Sequence, residues 1–284
     1  MKVYKTVKGL QVYLKSMRKK RKKIGFVPTL GALHEGHMSL IKLSKEKSHI
    51  TVCSIFVNPT QFNEATDLDE YPRTYEADTA LLIEAGCDVL FFPSPGQVYP
   101  KDLDTEVKID FGKIDKVMEG AFRPGHFDGV AQVVKRLLDI VKPHQLYMGQ
   151  KDFQQVAVVS HMMKYYKLKT DLVICPIIRE PHGLAMSSRN ERLPKKRRKE
   201  AAVIYETLQW VKENMRDISV HELEQDAIGR IRIPGFRPEY FQIIDGHSLM
   251  PINHITKKKY VVACAAVWVG DVRLIDNVIL QGEV

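Results

Sequence analysis

"IGFVPTLGALHEGHMSLIKLSKEKSHITVCSIFV", Ile24 to Val57, carries the reading of the fold. Two short apolar runs, "IGFVPT" and "ITVCSIFV", flank the helical pattern "HMSLIKLSKEK". Apolar runs of this length bounded by turn residues read as strands buried on both faces, and a helix between two of them makes a βαβ unit. The loop "TLGAL" leaves the first strand and sets His34 and His37 at the mouth of the helix.

The rhythm continues outward. "DVLFFP", "QLYM" and "LVICPII" read as further strands, and "TYEADTALLIEAG", "GVAQVVKRLLDIV" and "DFQQVAVVSHMMKYY" as crossover helices. Alternation of this kind predicts an α/β fold, a Rossmann-like doubly wound parallel sheet whose ligands sit beyond the carboxyl ends of the strands. From Ile178 the character changes. "PKKRRKEAAVIYETLQWVKENM" predicts one long amphipathic helix and "SVHELEQDAIGRI" a second. "EYFQIID", "KKYVVACAAVWV" and "VRLIDNVIL" predict an antiparallel sheet. The expected organisation is residues 1–177 as the nucleotide- and substrate-binding domain. Residues 178–284 form a smaller α+β C-terminal domain closing over the nucleotide site, with the cleft between the two.

Composition fits a globular chain of 284 residues: 44% hydrophobic, 27% charged, with 17 Gly and 14 Pro. The N-terminus has no continuous apolar core of a signal peptide, and no run approaches the roughly 18 apolar residues of a membrane span. Cys53, Cys87, Cys175 and Cys264 form no CxxC pair, which fits buried thiols in a reducing cytoplasm. The net charge of +9 comes from two runs, Arg18 to Lys23 and Lys195 to Lys199; the rest holds 32 basic against 34 acidic residues. Neither run is interleaved with aromatics, so solvated helix faces are expected rather than a nucleic-acid surface.

Polar residues cluster at four strand ends. At the first, Gly31 and Gly36 permit close backbone approach. A helix N-terminus with His34 and His37 three residues apart suits phosphate. A zinc pair or simple capping would also place two histidines there. "SIFVNPTQF" ends in Asn58, Thr60 and Gln61, hydrogen-bonders that suit a hydroxylated ligand or an Asx-capped turn. "LYMGQKDFQQ" breaks at Gly149 and offers Lys151 to phosphate, with Asp152 as ribose contact or helix cap. "IIREPHGLAMSSRN" supplies Ser187, Ser188 and Arg189, a phosphate cradle or a surface loop.

Together, "HxGH" after a first strand and a later "MSSR" resemble the paired signatures of the nucleotidyltransferase superfamily. The fuller strings "PTLGALHEGHMSLI", "FVNPTQF", "RPGHFDGV", "GQKDFQQ" and "LAMSSRN", with "YFQIID" and "VRLIDNVIL" in the tail, resemble the pantothenate synthetase (pantoate–β-alanine ligase) family over essentially the whole chain. Leu30 stands where that family usually has Met, a mild apolar exchange.

The resemblance implies condensation of D-pantoate with β-alanine, with ATP cleaved to AMP and pyrophosphate through a pantoyl adenylate and Mg²⁺ assisting. It places Leu30, Gly31, Ala32, Leu33, His34, Glu35, Gly36 and His37 along the ATP phosphates, with His37 and Lys151 in the chemistry and His34 beside them. Gly149, Gln150, Lys151 and Asp152 would hold ribose and phosphate. Ile178 would meet adenine, and Met186, Ser187, Ser188 and Arg189 would close over the phosphates. Gln61 and Gln155 would hold pantoate, with Gln61 also near β-alanine. The metal's ligands are left unassigned. A homodimer is implied, without a nucleic-acid or membrane partner. Arg123 is a further candidate anion contact, and "NEATDLDEYPRTYEAD" a candidate mobile flap. The rivals are another adenylyl- or cytidylyltransferase and a polyanion-binding module.

Overall fold

The computed structural model describes residues 1–61, 68–69, 71–256 and 260–282. The chain divides into two compact units. The first comprises Met1–Gly112, Arg123–Gly149 and Gln155–Cys175; the second comprises Lys113–Phe122, Gln150–Gln154 and Pro176–Val284.

In the first unit, the described residues form a sheet of strands β1 (Lys2–Tyr4), β2 (Ile24–Thr29), β3 (Ile50–Ile55), β4 (Val89–Phe91), β5 (Gln145–Gly149) and β6 (Asp171–Cys175). The order is β1-β4-β3-β2-β5-β6 and every pairing is parallel. Helices α1 (Val7–Lys19), α2 (Glu35–Lys47), α3 (Tyr75–Glu84) and α4 (His126–Val141) supply crossovers, and α5 (Phe153–Tyr165) leads to β6. Ile24, Phe26 and Val27 of β2 are fully buried, as a central strand covered on both faces requires.

The chain leaves β2 in one direction through α2 to β3, and returns to its other side at β5, where Gly25 pairs with Gln145. The order therefore reverses between β2 and β5. Their carboxyl ends form the switch point at which doubly wound sheets bind ligands. These are the strands that run into the "HEGH" and "GQKD" strings.

Two elements, β1 and α1, were not anticipated. The buried face of α1 is only Leu10 and Leu14, among lysines. That helix ends at Lys19, so the first basic run is not one continuous helix face. Arg18 is structural, because its guanidinium donates to the carbonyls of Val141 (3.0 Å) and Lys142 (3.5 Å) at the end of α4. A cation there satisfies terminal carbonyls and opposes the helix dipole.

The second unit holds α6 (Ala202–Asn214), α7 (Val220–Ile231) and the antiparallel sheet β7 (Phe236–Asp245), β8 (Val261–Val269), β9 (Val272–Gln281). Ser219 and Glu222 cap α7 reciprocally. The single long helix expected over 194–215 is instead a short helix, Lys195–Glu200, followed by α6. Between them Ala201 is buried, and its carbonyl accepts from Ile204, a tighter three-residue step that breaks the α-helical ladder. In the second basic run, Arg197 and Arg198 are engaged. Arg197 donates to Glu200 (2.9 Å) and Arg198 to Glu180 (2.9 Å) and Glu191 (2.8 Å).

Cys53, Cys87, Cys175 and Cys264 are free and buried. Burial pushes the Cys87 and Cys175 thiols up to about 11, and raises Cys53 and Cys264 as well. Among the described residues, no helix is long and apolar enough to cross a membrane.

Candidate active site

The loop after β2 is held from beneath by one carboxylate. Asp78, 2% exposed, accepts the backbone N–H groups of Ala32 (3.0 Å) and Leu33 (2.8 Å), and the Thr74 hydroxyl (3.0 Å). Gly31 (φ 88°) and Ala32 (φ 49°) both lie in the left-handed region, which turns successive N–H groups onto that carboxylate. A Cβ at Gly31 would stand 3.1 Å from both Asp78 Oδ2 and Ile55 Cγ2. Asp78 escaped the sequence reading, because in "TYEAD" it looks like an ordinary acidic first-turn residue. The preceding candidate flap is thus helical in its last four residues, which fall in α3. Residues 63–67 and 70 of that stretch, and Phe62 before it, lie outside the described residues.

His34 caps α2, accepting the Gly36 N–H at Nδ1 (3.1 Å). His37 reciprocates, its Nδ1 accepting the His34 N–H at 3.3 Å, and the two rings lie 4.1 Å apart between centroids. Capping, one of the two alternatives for this pair, is therefore present. It also fixes the chemistry: a neutral ring whose Nδ1 accepts must carry its proton on Nε2. Each imidazole is thereby a donor at the nitrogen away from its cap. The other alternative, a zinc pair, lacks companions, since among the described residues no group of three or more His, Cys, Asp or Glu is placed to hold a metal.

The "FVNPTQF" and "RPGHFDGV" strings meet within the first unit. Asn58 is fully buried and donates to the Gly129 carbonyl (3.1 Å) and the Gln61 side chain (3.4 Å), while accepting from Tyr99 (2.9 Å). The backbone carbonyl of Gln61 lies 2.7 Å from His126 Nδ1. A carbonyl can only accept, so this histidine carries its proton on Nδ1. Its Nε2 then accepts from Arg123 at 3.1 Å. Gly129 is the contact point: a Cβ there would stand 2.2 Å from the Thr60 carbonyl oxygen. Burial of Gln61 and the ring of His126 was not legible locally, because the partners are 65 residues apart.

In the second unit, Asn277 of β9 holds the "GQKD" turn. Its Nδ2 donates to the carbonyls of Gln150 (3.1 Å) and Lys151 (3.0 Å), and its Oδ1 accepts from Gln150 Nε2 (3.0 Å). The Lys151 ammonium lies 3.5 Å from Asp152. α5 starts one residue later, at Phe153, and Gln155, half-buried, is counted with the first unit, as is Gly149.

The "REPHGLAMSSRN" string forms a hairpin in the same unit. Arg179 bridges Ala185, the Met186 N–H donates to the Ile178 carbonyl (2.9 Å), and Ser187 Oγ accepts from the Arg189 N–H (3.3 Å) at the head of a short turn over Ser188–Arg192. Arg179 is paired with Asp276 at 2.6 and 3.0 Å and stacks on Tyr205 at 3.7 Å. Burial pushes the Asp276 carboxyl up, against the pull of Arg179 and the weaker pull of Lys151. Glu180 accepts from Arg198 and from buried Asn190 (2.7 Å).

A parallel sheet whose order reverses at two strands followed by histidine- and lysine-bearing loops places the chain among the doubly wound α/β proteins. Residues 2–279 match the sequence model of the pantoate-beta-alanine ligase family. A pantothenate synthetase of Bacteroides fragilis is 47% identical over 98% of each chain, and one of Thermotoga petrophila 41% identical over 99% and 100%. The crystal structure of a pantothenate synthetase from Thermus thermophilus superposes with a TM-score of 0.92 at 38% identity, covering 99% of this chain and all of that one. A pantoate-beta-alanine ligase from Francisella tularensis, complexed with beta-gamma ATP and beta-alanine, superposes with a TM-score of 0.82 at 35% identity, covering 100% and 99%. The chain belongs to the pantoate–β-alanine ligase family, and its members are ligases.

Proposed function

We propose that this protein condenses D-pantoate with β-alanine to pantothenate, cleaving ATP to AMP and pyrophosphate. The observation that carries the reading is the reciprocal His34–His37 cap, which fixes two Nε2–H donors at a helix N-terminus on the ligand edge of the sheet. There a developing phosphate charge meets oriented donors and the positive helix end.

In the first half-reaction a pantoate carboxylate oxygen attacks the α-phosphorus and pyrophosphate leaves. Leu30 to Gly36 line the triphosphate, His34 and His37 donate to its oxygens, and His37 follows the charge onto the leaving group. Lys151 and Arg189 neutralise phosphate, Ser187 and Ser188 donate hydrogen bonds to it, and Met186 closes over it with them; Gly149, Gln150 and Asp152 hold ribose; Ile178 meets adenine. Gln61 and Gln155 orient pantoate by amide hydrogen bonds, which leave its carboxylate nucleophilic where a salt bridge would not. In the second half-reaction the β-alanine amine, near Gln61, attacks the acyl carbon; AMP departs and the amine loses a proton. Mg²⁺ fits as a passenger on the triphosphate, since such ions are held largely by phosphate oxygens and water. When bound it neutralises charge on the phosphoryl oxygens.

The test is exchange of labelled pyrophosphate into ATP with D-pantoate present and β-alanine absent. Exchange that requires pantoate supports the acyl-adenylate half-reaction. A folded, ATP-binding preparation with no exchange overturns it. A homodimer in the cytoplasm completes the reading, supported by the family resemblance and the buried thiols; light scattering at micromolar concentration tests the dimer.

A further inference from the structure

We infer that Asn277, backed by Arg179 and Asp276, is a positioning residue that locks the "GQKD" turn and the "REPHGLAMSSRN" hairpin into one arrangement. The inference rests on the reading of both strings as ATP-binding. Neither string touches the other in sequence, yet both end on two neighbouring residues of β9.

The lock is built from buried, fully used groups. Asn277 is 2% exposed and commits both amide donors to the carbonyls of Gln150 and Lys151, and its oxygen to the Gln150 side chain. This fixes the backbone from which Lys151 projects. One residue earlier, Asp276 accepts from the Asn277 N–H (2.7 Å) and from both terminal nitrogens of Arg179. Arg179 in turn donates to the Gly183 carbonyl (3.1 Å) inside the hairpin and to the Asn277 carbonyl (3.4 Å). Its guanidinium is stacked on Tyr205, so it cannot swing to another partner without losing that contact. The hairpin that carries Ser187, Ser188 and Arg189 and the turn that carries Lys151 therefore share one rigid anchor.

The chemistry dictates which substitution is informative. Asn277→Asp keeps the shape but replaces two donors by an acceptor facing two carbonyls, which turns the anchor into a repulsion. Val278→Ala is the control: Val278 lies in the apolar cluster of the second unit, and its side chain carries no hydrogen-bonding group with which to hold either string. Thermal melting, ATP binding by titration, and steady-state KM for ATP and for D-pantoate are measured on wild type, these two variants, Arg179→Lys and the Asn277→Asp/Arg179→Lys double variant.

Asn277→Asp is expected to raise the ATP KM about 10- to 10²-fold, the upper figure being the scale of a group misplaced by about 1 Å. The D-pantoate KM stays within about twofold, and Val278→Ala lowers the melting temperature without that split. Combining Asn277→Asp with Arg179→Lys is expected to cost less than the product of the single effects, because both act through one anchor. An unchanged ATP KM in Asn277→Asp overturns the inference, as does a parallel rise in both KM values matched by Val278→Ala. Wild-type protein that binds no ATP overturns the reading of the strings themselves, a result distinguishable from either.

Discussion

Two parts of the molecule each hold a loop that the proposed function assigns to phosphate, and they do so with opposite chemistry. The turn after β2 is held by neutral backbone N–H groups converging on one carboxylate, Asp78, and by two histidines that cap each other. The strings of the second unit are held by ion pairs and a carboxamide: Arg179 with Asp276, Arg198 with Glu180, and Asn277 on two carbonyls. The first device uses left-handed backbone and tolerates little change of residue type at Gly31. The second uses long side chains, Arg179 of the hairpin reaching Asp276 of β9 and Arg198 of the basic helix reaching Glu180, and depends on charge pairing remaining complete.

The largest effect should come from breaking the second device. Arg179→Met leaves Asp276 buried without its cation and is expected to cost about 3–5 kcal/mol, read by denaturant unfolding. In the first device, His37→Ala removes the donor that the proposed function directs at developing phosphate charge; on that reading pyrophosphate exchange should fall about 10²–10³-fold. The lost cap lowers stability by about 1 kcal/mol. Asp78→Asn turns one accepting oxygen into a donor against backbone N–H groups, and about 1–3 kcal/mol of stability should go with it.

A pH titration sharpens the contrast further. Burial would raise the Glu180 carboxyl, but the hydrogen bonds from Arg198 and Asn190 win and hold it below its ordinary value of 4.5. A depressed carboxylate contributes stability that is complete above the ordinary value and lost as pH falls through the folded one. Glu180→Gln should therefore flatten the acid limb of stability against pH below about 4.5; an unchanged limb would mean the pair is idle. The smallest effect belongs to Lys196→Gln. Its partner Glu200 is 3.9 Å away and its side chain is 86% exposed, so stability should stay within about 0.5 kcal/mol.

The strands and crossover helices were legible because a parallel sheet writes itself as apolar runs with helical pattern between them. The strand order was not, since pairing of β2 with both β3 and β5 depends on chirality and packing rather than on any local string. α1 was missed because only Leu10 and Leu14 face inward. The histidine pair, the lysine turn and the serine–arginine loop stood out as polar clusters at strand ends. Their supports did not: Asp78 lies 45 residues beyond Leu33, and Asn277 lies 126 beyond Lys151. One clue was present. In β9, Val272, Leu274, Val278 and Leu280 alternate inward, and Asp276 occupies the position between them where another apolar residue belongs. A charge on the apolar register of a strand announces a buried partner.

The four cysteines give the molecule a built-in clock. Thiols pushed up by burial are protonated and shielded at neutral pH, so an alkylating reagent reaches them when the surrounding structure opens. Cys53, Cys87 and Cys175 belong to the first unit and Cys264 to the second. The rate at which each acquires its label therefore times the opening of the two units separately, in one sample, without a probe being introduced.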